Sequence, residues 1–129
     1  MSHKIISFFA YLSLLAVGCH KADVKDYIPP EEAARKALTT ALDAWKEGKT
    51  PDQVGAANPK IEVQDKQWSG GKKLSGYEIV GPTTGPDQNA RFQVKLTFPD
   101  AAQEMTYVVL GKDPIWVFSE ESYQRTSGM

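Results

Sequence analysis

Residues 91–98 alternate without a break: Phe92, Val94, Leu96 and Phe98 fall on one side, and Arg91, Gln93, Lys95 and Thr97 on the other. A strand turns successive side chains to opposite faces, so this stretch belongs in a sheet with one buried face and one wet face. Parallel sheets, covered on both faces, read instead as continuous apolar runs; the alternation therefore predicts an antiparallel sheet. Its neighbours are close by. A turn over residues 99–103 leads to a strand at 104–110, and Gly111-Lys112-Asp113-Pro114 turns into another at 115–119. Upstream, residues 60–63 and 77–80 read as strands, with Trp68-Ser69-Gly70-Gly71-Lys72-Lys73 as a turn. Residues 81–89, with two Gly-Pro pairs, read as a loop. The polar Ser-Glu-Glu-Ser-Tyr-Gln-Arg run from Ser119 is expected to fray or end the last strand.

Before the strands the period changes. Ala34, Leu38, Ala41, Leu42 and Trp45 recur at helical spacing, with Arg35, Lys36, Thr39, Asp43 and Glu47 largely elsewhere. Pro30 or Glu31 opens this helix, Glu31 and Glu32 sit near its positive end, and Gly48 closes it after Lys46. Thr50 is placed to cap a short helical turn starting at Pro51. The expected fold class is α+β: one amphipathic helix packed on a four- to five-stranded antiparallel sheet, in a single domain over residues 31–129.

The 129 residues carry 15 Lys and Arg against 16 Asp and Glu. Such a balance lacks the basic footprint of a nucleic-acid binder, so no nucleic-acid partner is expected. One cysteine excludes an intramolecular disulfide and a cysteine-rich zinc site. The two histidines, His3 and His20, both precede the domain. The folded part thus has neither histidine nor cysteine. A Ser-His-Asp or Cys-His catalytic device and a histidine zinc site are unavailable, and no metal, cofactor or catalytic residue is predicted.

Residues 1–18 carry Lys4 as their only charge, and residues 5–17 are almost wholly apolar. A basic start, a short apolar centre and small residues at its end describe a secretory signal; the run is shorter than the roughly 20 residues a spanning helix needs. Leu15-Ala16-Val17-Gly18-Cys19 resembles the lipobox of bacterial lipoproteins, with Gly18 in the small position and Cys19 in the lipidated one. Ala16 stands where the family prefers Leu, and Leu15 lies one place earlier. The resemblance implies a diacylglyceryl group on the Cys19 sulfur, cleavage between Gly18 and Cys19, and an acylated new amino terminus. His20 after the cysteine, rather than Asp, leans toward the outer membrane in that family. Without the lipobox, the same residues read as a generic secretory signal followed by a free thiol. Residues 19–30 alternate in charge and end in Pro29-Pro30, as a tether would.

The remaining chemistry is sparse. Asp65 with Tyr77 would supply a carboxylate base and a phenol donor if they met in an apolar pocket; the ordinary reading puts Asp65 in a strand-end turn and Tyr77 in the sheet. Gly70-Gly71-Lys72-Lys73 could cup an anion with backbone amides, although it lacks the spacing of a P-loop. Glu31-Glu32 and Glu120-Glu121 read as solvated acids. Trp68, Trp116, Tyr107 and Phe118 offer either a core or an aromatic binding surface, and Trp45 either a core position or the lining of a pocket. The element order of residues 31–120 resembles the cystatin-like and nuclear transport factor 2-like rolls, the smaller cystatin-like form fitting the length better. Gln53-Val54-Gly55 and Pro114-Ile115-Trp116 depart from the hairpins with which cystatins inhibit proteases, so inhibition is not expected. Together these readings point to a membrane-anchored exported lipoprotein whose small non-enzymatic domain binds an envelope protein. The alternative is a ligand-binding or enzymatic roll with a pocket between helix and sheet.

Overall fold

The computed structural model describes residues 28–56 and 59–127. The signal segment, Gly18 and Cys19, both histidines and residues 19–27 of the tether lie outside the described residues. Helix α1 runs Glu31–Lys46. Its first turn carries Glu31 and Glu32 and its last carries Lys46, in line with the helix dipole. Gly48 follows at φ 89°, the left-handed geometry that ends helices at little cost only for glycine. The expected stripe is buried in full, with Ala37 and Ala44 added to it. Four alanines among these seven positions let the helix backbone lie close to the sheet.

A 3-10 turn, Pro51–Ala56, leads to strand β1, Ile61–Gln64, and a single helical turn, α2, Lys66–Ser69. Strands β2 (Gly76–Thr83), β3 (Ala90–Thr97), β4 (Ala102–Leu110) and β5 (Ile115–Ser119) follow. Helix α3, Glu120–Ser127, closes the described chain. The sheet order is β1-β5-β4-β3-β2. Strands β2 to β5 form a meander, antiparallel throughout; three of them, β3 to β5, are the strands that the short turns predict in succession, and β2 joins them. Strand β1 departs from the expectation: it pairs parallel to β5, Ile61 beside Ile115 and Val63 beside Val117, so the sheet is mixed. The reason is the route of the chain. After β1 it crosses by α2 to the far edge of the sheet, and only the last strand returns to β1.

One face of the sheet packs on α1 through Phe92, Val94, Leu96, Tyr107, Val109, Ile115 and Val117, which join the helix stripe in one core. The opposite face is not simply wet. Strand β5 runs straight into α3, because buried Ser119 caps it: the Ser119 hydroxyl oxygen accepts from the Ser122 amide at 3.3 Å. The polar tail ends the last strand, one of its two expected outcomes, and it does so as a helix that folds back so that Tyr123 meets Phe118 edge-on, ring centroids 5.7 Å apart. Strand β2 also runs further than expected, taking in Gly81 and Pro82 past a bulge at Val80.

Candidate functional site

Asp65 sits at the end of β1 and caps α2. One carboxylate oxygen accepts from the amides of Gln67 at 3.0 Å and Trp68 at 3.3 Å. The other accepts from the Tyr107 hydroxyl at 2.5 Å. Both residues are nearly sealed, at 4% and 1% exposure. Burial pushes the Asp65 carboxyl above its ordinary value, and the three hydrogen bonds offset that only in part; the charge of Glu121 adds to the rise. Burial and the neighbouring carboxylate hold the Tyr107 phenol well above its usual range. The structure does not bring Asp65 to Tyr77. Tyr77 lies on β2, at the other edge of the sheet, and donates to Asp43 at 2.6 Å. Its own rise comes first from burial and then from that hydrogen bond.

Arg91 was expected on the wet face, and it is buried, with its side chain 1% exposed. Its guanidinium bonds to Asp87 and, at 2.8 Å, to Glu120. It also lies over the Tyr123 ring, 5.4 Å from the centroid. The Tyr123 hydroxyl donates to Asp87 at 2.7 Å and accepts from Asn89 at 2.8 Å. The loop between β2 and β3 can close on this group because of Gly85: a Cβ there would stand 2.5 Å from the guanidinium. Hydrogen bonding from Arg91, more than any other influence, lowers the Asp87 carboxyl to about 2. Of the paired acids, half-buried Glu120 thus holds a buried guanidinium, while Glu121 pairs with Arg125 at 3.6 Å on the surface. Glu31 pairs likewise with Arg35 at 3.6 Å.

Trp45 and Trp68 stack 5.3 Å apart and 8° from parallel. Each indole N–H donates at 2.7 Å to a carbonyl beside the other ring: Trp45 to Lys72, and Trp68 to Lys49. The bonds cross, so the loop after α1 and the loop after α2 are tied through the pair. Gly70-Gly71-Lys72-Lys73 is part of this tie and not an anion cup. The amides of Gly70, Gly71 and Lys72 already donate to the carbonyls of Lys66, Trp68 and Gln67. Phe118 and Tyr107 are core, and Trp116 is half-buried, stacked on Phe118 at 5.6 Å. Val54, in the stretch Gln53-Val54-Gly55, is buried in the 3-10 turn, and Ile115-Trp116 opens β5.

Two clefts adjoin these ties. One of about 350 Å³ lies over Trp45 and Trp68 at the end of α1, rimmed by Lys46, Lys49, Lys72 and Lys73. The wider one, about 830 Å³, runs along the outer edge of β1 between the 3-10 turn and α2, with Ile61, Val63 and Trp68 on its wall. Asp65 opens onto neither; it borders a smaller hollow of about 190 Å³ with Ser122 and Arg125. Among the described residues no helix is long and apolar enough to cross a membrane. No group of three or more His, Cys, Asp and Glu residues is placed to hold a metal ion there either. No family model, curated protein or solved structure matches the chain.

Proposed function

We propose that the chain is an exported lipoprotein, anchored by lipid on Cys19, whose α+β domain is a binding module for another envelope protein. The observation that carries this reading is the position of the one cysteine, at the end of a short apolar segment and directly after Gly18. Cleavage falls between Gly18 and Cys19, residues 19–30 form the tether, and the outer membrane is the expected destination. The interior chemistry supports binding over catalysis: the acid–base groups that the fold buries serve as caps and ion pairs holding loops in place. The order of elements, helix first and then a meander wrapped against it, supports a cystatin-like roll, with parallel β1 as the departure.

Labelling with a palmitate analogue and membrane fractionation test the anchor. The native chain is expected to take up label and sediment with membranes, and Cys19→Ser to lose both; a labelled, membrane-bound Cys19→Ser protein would overturn the reading. The second reading, a small-ligand-binding roll, draws on the 350 Å³ cleft over the two tryptophans. A ligand that shifts tryptophan fluorescence, with no protein partner recovered from gently solubilised envelopes, would put that reading first.

A further inference from the structure

The two edges of the sheet are unlike. Strand β2 is a poor template for another strand: Val80 bulges out of the ladder, Gly81 follows it, and Pro82 has no N–H to offer. Strand β1, though short and flanked by the 3-10 turn at Ile61, has no bulge, glycine or proline. Its register with β5 fixes where its backbone points. Ile115 donates to the Lys60 carbonyl at 2.8 Å, and in a strand the N–H and C=O of one residue share a side while neighbouring residues point oppositely. Lys60, Glu62 and Gln64 therefore face β5, and Ile61 and Val63 turn their N–H and C=O outward into the 830 Å³ groove.

From this we infer that the β1 edge is where the binding module takes its partner, by adding an extended segment of that protein as a sixth strand; the inference rests on the binding reading above. An extended backbone is the ligand whose donors and acceptors repeat at the spacing of Ile61 and Val63, about 6.6 Å for two residues of strand. Charge defines the segment further. Lys60 and Glu62 neutralise one another at 3.3 Å, and Asp52 accepts the Thr50 hydroxyl at 2.6 Å. The wall between them is Ile61, Val63 and Trp68. Asp52 keeps its charge at the rim, so the fitting occupant is a segment of about four residues without acidic side chains, its alternate side chains apolar. A second copy fits less well. The register overlapping the whole of β1 sets Ile61 against Val63 and brings two Glu62 side chains directly opposite each other.

The test uses the full lipidated chain in its own envelope. A photoreactive benzoylphenylalanine replaces Gln64 on β1 or, as the control edge, exposed Val80 on β2. Val63→Pro removes an outward N–H without touching the β5 ladder. Gly55→Leu fills the groove from its rim, where a Cβ meets Lys60 and Ile61 at ordinary contact distances of 3.6 and 3.8 Å. Near-UV circular dichroism of the Trp45–Trp68 stack reports that each variant is folded. The expected result is a cross-link from position 64 into one extended segment of one protein. Either substitution is expected to cut its yield by about tenfold, the scale of a lost inter-strand hydrogen bond or two. A yield unchanged by both variants, or capture of a second copy, would overturn the edge assignment. Cross-links from position 80 alone would overturn it and leave the binding reading standing, and none from either position would overturn both.

Discussion

Asp65 and Asp87 hold nearly the same partners and are driven in opposite directions. Each accepts a tyrosine hydroxyl, from Tyr107 and Tyr123 respectively, and each accepts from a backbone amide in its own turn. Asp65 is raised and Asp87 lowered. Two differences account for this. Asp65 is sealed, and among the described residues no cation pairs with it, so desolvation outweighs the hydrogen bonds. Asp87 stands at the surface with Arg91 against it, so the charged partner outweighs the little desolvation it suffers. A tyrosine–aspartate hydrogen bond is common to both and decides neither.

The largest break in the symmetry is expected from Asp65→Ala. It uncaps α2 and leaves the buried Tyr107 hydroxyl without an acceptor, which together should lower the unfolding free energy by about 2–4 kcal/mol. Asp65→Asn, able to keep the cap, should lose much less. Urea denaturation of the two variants checks this, and equal losses would show that the carboxylate itself, rather than its acceptor geometry, holds α2.

Next in size is Arg91→Leu, with an expected cost of about 1–3 kcal/mol as Glu120 and Asp87 lose their charged donor. The sharper readout is the Asp87 carboxyl carbon in an NMR titration. It should move from about 2 back toward the ordinary aspartate value, while Asp65 stays raised. An Asp87 unmoved by the loss of Arg91 would assign its lowering to Tyr123 instead.

The acid limb of stability separates the pair again. Asp87, lowered in the fold, contributes stability that is present above its unfolded value near 3.8 and lost as pH falls toward 2. Asp65, raised in the fold, has the reverse sign: its burial penalty acts above its folded value and disappears on protonation. Asp87→Asn should therefore flatten the loss of stability between pH 4 and 2 that Asp87 produces, and Asp65→Asn should steepen the loss on acidification. Thermal melts from neutral pH down to pH 2 give both slopes, that of Asp65 above about 3.8 and that of Asp87 below it, and slopes that move the same way in both variants would refute the contrast. The smallest effect expected is for Tyr123→Phe, about 0.5 kcal/mol, because water reaches the exposed Asp87 oxygen that the hydroxyl leaves.

The parts legible in the sequence were those governed by neighbours along the chain. The α1 stripe, the alternation of β3 and the short turns to β4 and β5 each carry their cause within a few residues. Parallel β1 was not legible, because its partner is the last strand of the meander and nothing in Ile61–Gln64 names it. Asp65 was read as a strand-end residue, and that is its place; its hydroxyl partner turned out to be Tyr107 on β4 and not Tyr77. Arg91 misled because alternation assigns it to the wet side, whereas Gly85, Asp87, Glu120 and Tyr123 build a cover over it from two distant segments. The capping of α3 did have a local signal, Ser119 three residues before Ser122, hidden within a polar run.

The β1–β5 pair also sets an order of assembly. Hairpins between successive strands close short loops and are expected early, whereas pairing β1 with β5 closes a loop of about fifty residues and is expected last. Substitutions in the β3–β4 hairpin are expected to slow refolding, and those at Ile61 or Val63 to speed unfolding instead. The strand joined last on this account is also the outermost, so the chain completes its sheet at the edge it leaves open.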